Sequence, residues 1–174
     1  MKEILTKRLR LGALRPEDGK ALIGIMTDPA VGKTYMVPEL DTQEKRDALF
    51  ERIRALSEAD DRFVYGVFLK NRLIGLINEV DRNGAEIELG YVIDPAYHNR
   101  GYATETLSAC IKALLDGGFS RVKAGAFSEN GASLRVMEKC GMRRTGETET
   151  VEYRGENYLC VYCAVGAEGA KNEL

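Results

Sequence analysis

Residues Asp94 to Leu115, DPAYHNRGYATETLSACIKALL, place a turn with almost no acid directly before a long helical pattern. The first turn of a helix leaves backbone N–H groups without intrahelical partners and carries partial positive charge. Here that turn is built from His98, Asn99, Arg100, Gly101, Tyr102, Ala103 and Thr104. Arg100 adds a fixed positive charge. Gly101 lets the chain bend and leaves room for a close ligand, and Ala103 is small. An anion with several oxygens suits such a place, a diphosphate best of all. Neither familiar nucleotide loop is present: there is no G-x-G-x-x-G and no G-x-x-x-x-G-K-[ST]. On these grounds alone a phosphate site and a plain helix start both stand.

A second group of reactive side chains is Cys110, Cys140, Cys160 and Cys163. Cys160 and Cys163 form a C-x-x-C, a spacing that invites a zinc or redox reading. They lie in NYLCVYCAV, which reads as a strand, where residues three apart point to opposite faces. With no second matching pair and a single histidine, His98, the expectation is small apolar core residues in a reducing compartment and no metal.

The 174 residues carry 25 Lys plus Arg against 27 Asp plus Glu, a net charge of −2, with 44% apolar and 30% charged residues. This is a globular profile that gives no reason to expect nucleic acid or an anionic membrane as the main partner. The start, MKEILTKRLRLGAL, has no apolar core of a signal peptide. No run approaches the roughly 18 apolar residues of a membrane span. The expectation is a cytoplasmic protein.

The elements that must position the turn follow from periodicity. LTKRLRLGAL alternates and predicts one strand. RPEDGKALIGIMTD predicts a helix with Pro16 in its first turn, and DPAVGK a loop. DTQEKRDALFERIRALSEA predicts a second helix, with a capping box from Asp41 to Glu44 and Leu49, Ile53 and Leu56 on one face. RFVYGVFLK and RLIGLINEV predict a hairpin about Lys70-Asn71, and an Asn83-Gly84 turn leads into another strand, EIELGYVID. Ala103, Leu107, Ile111 and Leu114 predict a helix from Gly101 to Asp116, stopped by Gly117-Gly118. SRVKAGAF predicts a strand, NGASLRVMEKCG a shorter helix, and MRRTGETETVEYRGENYLCVYCAV two strands about Arg154-Gly155. The sum is a mixed α/β (α+β) arrangement of about seven strands and about four helices. It forms a single domain over 1–165, with a flexible C-terminal tail at 166–174.

EIELGYVIDPAYHNRGYATETL, followed by ENGASLRVMEKCGM, resembles the GNAT superfamily of acyl-CoA-dependent N-acetyltransferases. TKRLRLGALRPEDGKAL and GYATETL resemble its RimJ/RimL-type branch, and the likeness spans about Thr6 to Val165. It implies a GNAT fold: a mostly antiparallel mixed sheet with splayed central strands. It also implies acetyl-CoA as cosubstrate, and no metal. The family loop begins with Gln or Arg, has Gly three residues later, and Gly or Ala two after that. Here these positions are His98, Gly101 and Ala103, so the first departs from the pattern.

By this resemblance the amides from Asn99 to Thr104 cradle the coenzyme's pyrophosphate. The backbone of Tyr91, Val92 and Ile93, splayed from its neighbour, bonds the pantetheine arm and can meet the acyl carbonyl. Asn130 contacts that arm, and Ser133 lines the thiol and can protonate the departing sulfur. Glu88 is the candidate base, with Glu86 in reserve. Some relatives use a tyrosine seven residues after the asparagine as acid and a glutamate five before it as base. Here those positions are Met137 and Gly125. Tyr97, Tyr102 and Tyr153 could supply a hydroxyl, and Glu105 is expected to be a structural acid of the helix's first turn.

Acyl transfer to an amine requires that the amine lose its proton, the carbonyl oxygen be stabilised and the thiolate leave. The acceptor is expected between DPAVGKTYMVPEL and ETVEYRGENY, near Tyr35, Met36, Tyr153 and Tyr158, with Glu149, Glu152 and Glu156 as acids. It is an amine-bearing small molecule or protein N-terminus, met by a monomer or homodimer. The rival readings are a non-catalytic acyl-CoA sensor of the same fold and an unrelated phosphate-binding protein.

Overall fold

The computed structural model describes residues 3–166. Strands and helices follow in the order β1 (Ile4–Leu5), β2 (Leu9–Gly12), α1 (Gly19–Met26), α2 (Gln43–Glu58), β3 (Val64–Leu69), β4 (Arg72–Asn83), β5 (Glu86–Ile93), α3 (Tyr102–Asp116), β6 (Arg121–Phe127), α4 (Gly131–Lys139), β7 (Arg143–Tyr153) and β8 (Glu156–Gly166). Short 3-10 turns cover Pro16–Asp18, Val31–Lys33 and Pro95–Tyr97. The strands form one sheet in the order β1-β2-β3-β4-β5-β6-β8-β7. The β5–β6 pair is parallel, and the pairs β1–β2, β2–β3, β3–β4, β6–β8 and β7–β8 are antiparallel. A mixed α/β fold with four α-helices is what the periodicity predicts.

The strand count is eight rather than seven. The alternating run at the start is not one strand but two, folded back so that Ile4 pairs with Leu11. The reversal is closed by Thr6, whose N–H donates to Leu9 O at 2.9 Å and whose Oγ1 accepts from Leu9 N at 2.9 Å. A period of two is equally compatible with one strand or with a tight hairpin, so alternation alone could not separate them.

The chain divides into two compact units. One takes the residues up to Asn78 with Tyr91–Thr106; the other takes Glu79–Gly90 with the residues from Leu107 on. In the first, Leu22, Ile25 and Met26 of α1 and Phe50 of α2 bury with Val64 and Phe68 of β3, Leu73 and Leu76 of β4, and Val92. All of Val64–Phe68 is buried, without alternation, as in a strand covered on both faces. Ser57, also fully buried, is satisfied twice: Oγ accepts from Leu14 N at 2.9 Å and donates to Arg54 O at 2.7 Å. The cap of α2 falls one residue later than predicted. Thr42 accepts from Lys45 N at 3.2 Å, while Asp41 pairs with the Lys45 ammonium at 2.7 Å. The cap needs an oxygen three residues before the receiving amide, and Thr42 meets that need.

In the second unit, Ile87, Leu89, Leu107, Leu114, Val122, Ala124, Met137 and Val165 are buried. The β7–β8 hairpin turns at Arg154 (φ 54°) and Gly155 (φ 79°), the left-handed pair that matches strand twist. Strand β8 runs through Gly166, one residue into the predicted tail; the remainder of that tail lies outside the described residues. Cys160 and Cys163 both sit in β8, and all four cysteines are free thiols.

Candidate active site

The turn after β5 is shaped in three steps. Asp94 stops the strand: its carboxylate accepts from Ala96 N at 2.9 Å and its carbonyl from Tyr97 N at 2.8 Å. Asn99 then takes φ 59° and Gly101 φ 78°. Left-handed residues thus flank Arg100, and left-handed residues in a tight turn are the backbone feature from which anion-binding concavities are built. Helix α3 starts at Tyr102, and Glu105 N reaches back to Gly101 O at 3.0 Å. The predicted residues Asn99, Arg100, Gly101, Tyr102, Ala103 and Thr104 are thus one continuous turn and helix start.

His98 is placed differently from a loop residue that reaches a ligand. Its Nε2–H donates to Ile93 O at 2.7 Å, tying the end of β5 to the turn. One carbonyl of the Tyr91–Ile93 stretch is therefore already used. The strand end is also set from below by Gly75, where an added Cβ would lie 2.4 Å from Val92 O and 2.7 Å from the Ile93 side chain.

Sequence reasoning missed the clamp under this loop. Glu105 Oε1 accepts from Thr6 Oγ1 at 2.6 Å and from Arg8 N at 2.8 Å, and Oε2 accepts from Arg8 Nε at 2.6 Å. Arg8 also donates to Arg100 O at 2.9 Å and lies 4.4 Å above the Tyr102 ring. Glu105 is the structural acid expected. Burial opposes its ionisation, but the Thr6 and Arg8 hydrogen bonds outweigh burial and hold its carboxyl below the usual range. The T-x-R spacing in TKR was the available signal, but nothing local ties it to a residue so far along the chain.

Strand β5 enters a parallel register with β6: Glu86↔Arg121, Ile87↔Val122, Glu88↔Lys123 and Leu89↔Ala124. That register covers the first half of β5, whereas β5 continues to Ile93 and β6 to Phe127. Tyr91, Val92 and Ile93 lie beyond that register.

The register sets Glu88 beside a cation that sequence reasoning also missed. Lys123 Nζ lies 3.2 Å from Glu88 Oε2 and 3.5 Å from Glu147 Oε2, and 4.7 Å over the Tyr162 ring. Glu86, the reserve base, is engaged by Arg121 at 2.8 Å. Burial pushes the Glu88 carboxyl above its usual range, and Lys123 offsets this only in part. An added Cβ on Gly125 would lie 2.8 Å from the Tyr162 ring and 3.6 Å from Glu88 Oε1, so the bare Cα there gives both side chains their space. Tyr162 OH donates to Glu149 Oε2 at 2.8 Å, and its phenol is pushed up by burial and by that bond.

Asn130 caps α4, its Oδ1 accepting from Ser133 N at 3.1 Å. This commits one of the two Asn130 side-chain groups expected to face the pantetheine. Ser133 itself is half-buried in the first turn. Met137 is fully buried. Around the expected acceptor loops, Tyr35 OH donates to Asn78 Oδ1 at 2.9 Å, and burial pushes it up to about 12. Met36 is 54% exposed, and Tyr158 stacks on Phe127 at 4.5 Å with Tyr153 tilted beside both. Among the described residues, no group of three or more His, Cys, Asp or Glu is arranged to hold a metal ion, and no helix is long and apolar enough to cross a membrane.

Comparison with known proteins gives the family. The family profile described as the acetyltransferase (GNAT) domain matches residues 8–143. The uncharacterized N-acetyltransferase YnaD of Bacillus subtilis is 33% identical over 151 residues, 82% of this chain and 84% of that protein. The crystal structure of a GNAT-family acetyltransferase from Bacillus anthracis superposes with a TM-score of 0.82 at 29% identity, covering 96% of this chain and 99% of the other. The ribosomal L7/L12 alpha-N-protein acetyltransferase RimL, solved in complex with coenzyme A, shares the fold, with a TM-score of 0.79 at 18% identity over 97% and 99% of the two chains. With the family profile covering most of its length, the chain belongs to the GNAT acetyltransferase family.

Proposed function

We propose that this protein transfers an acetyl group from acetyl-CoA to a primary amine by direct attack in a ternary complex. The observation that carries the reading is the turn Asn99–Gly101, with two left-handed residues opening α3 directly after a strand whose end lies outside its neighbour's register. The backbone amides from Asn99 to Thr104 would hold the coenzyme's diphosphate. The backbone of Tyr91 and Val92 would meet the pantetheine amides, with Ile93 contributing less because its carbonyl is taken. Asn130 would add a contact through its amide NH₂, and Ser133 would lie near the sulfur. Glu88 takes the proton from the attacking amine. Burial raises its half-buried carboxyl above the usual range, the direction that strengthens a carboxylate as a base. The acceptor is a peptide N-terminus, an amino acid or another small amine.

The non-catalytic sensor reading is favoured by one pair of observations. Met137 is buried and Gly125 is bare at the positions where some relatives carry an acid and a base. One set of measurements decides. Acetyl-CoA at a hundredfold excess over Kd should stabilise the fold by about 2.7 kcal/mol. Thiol release over a panel of peptides, amino acids and polyamines should find an acceptor. Glu88→Gln should lower turnover more at neutral pH than at high pH. Silence across the panel supports the sensor, and no stabilisation by acetyl-CoA sinks both readings.

A further inference from the structure

The reaction as proposed needs a carboxylate and an amine, but not Lys123. Yet the Lys123 ammonium lies 3.2 Å from Glu88 Oε2, with only 18% and 15% of the two side chains exposed. Titratable groups on β4, β6, β7 and β8 enter its charge environment. Asp81 of β4 and Glu149 of β7 oppose its ionisation, while Cys160 and Tyr162 of β8 and Glu147 of β7 complete the surround. Burial and these acids all favour the neutral carboxyl, whereas a base must be ionised to act. A buried carboxyl without a partner is displaced upward, and an adjacent cation reverses this by about 1–3 units.

We propose that Lys123 is a positioning residue for the base, its ammonium holding Glu88 Oε2 so that the carboxylate presents Oε1, on the Gly125 side, to the amine's proton. Three contacts fix the ammonium itself: Glu88, Glu147 and the face of Tyr162. The register Glu88↔Lys123 fixes the backbone beneath it. Cation and base are therefore held by the sheet rather than by a loop. The inference rests on the reading of Glu88 as base, and its test separates the two.

The protein is labelled with carboxyl-13C glutamate, and the Glu88 resonance is identified by its loss in Glu88→Gln. Lys123→Met should raise the Glu88 titration midpoint by about one unit or more, and Lys123→Arg should restore most of the shift. With an amine acceptor found in the panel, the acid limb of kcat/KM should move upward by the same amount in Lys123→Met. An unmoved midpoint overturns the proposal, as does a uniform loss of rate at every pH with the limb in place, which a purely structural lysine would give. If the midpoint moves but Glu88→Gln keeps the acid limb, the base reading fails instead, and the catalytic role of Lys123 fails with it.

Discussion

At the residue scale, the histidine that departs from the family loop pattern has a structural use. His98 joins Ile93 to the turn across five residues, through a bond that the side chain alone supplies. A hydrogen bond of this kind contributes about 0.5–1.5 kcal/mol. His98→Ala should therefore weaken coenzyme A binding by roughly two- to tenfold, through a loosened strand end rather than a lost phosphate contact. Titration calorimetry with coenzyme A and with the dephosphorylated pantetheine fragment checks this. Equal weakening for both fits the strand-end role, whereas weakening confined to the phosphate-bearing ligand assigns His98 to the diphosphate.

At the element scale, much of the site was legible. The three- and four-residue spacing from Ala103 to Leu114 was enough to place α3 at Tyr102–Asp116, and Asp94-Pro95 marked the end of β5. What stayed hidden are contacts set by register. Glu86 and Glu88 face Arg121 and Lys123 with matched spacing. A parallel pairing across an intervening helix is not announced by either strand alone. Arg8 and Glu105 meet for the same reason: a short hairpin at one end of the chain lies against the start of α3. The first-strand error and the shifted α2 cap are of another kind, local alternatives of nearly equal merit. The Asn130 cap gives a prediction at this scale. Asn130→Ala should cost about 1 kcal/mol in chemical denaturation, and Asn130→Asp, which keeps the accepting oxygen, should recover most of it. If both variants are equally destabilised, the cap is not what Asn130 contributes.

For the molecule as a whole, two carboxyls couple folding to pH with opposite signs. Glu105 has its folded value depressed, so its contribution is full above the unfolded carboxyl value of about 4.3 and is lost as pH falls through the lower folded one. Glu88 is raised, so folding favours its protonated form, and that contribution is lost as pH rises through the folded value. Thermal melts of Glu105→Gln should show lower stability than the parent at pH 6 and a narrowing gap below pH ~4, where the parent's carboxyl is protonated too. A gap that stays constant across that range would mean that shape, not charge, explains the loss.

Gly75 carries a different lesson. Its missing methyl is what lets Val92 and Ile93 lie where they do, although it stands in β4, well before the turn in sequence. Two homologous chains could share every letter from Asp94 to Thr104 and still grip the cosubstrate unequally, because one atom upstream had pushed the strand aside. On the proposed reading, affinity would be set partly by a neighbour that never meets the ligand.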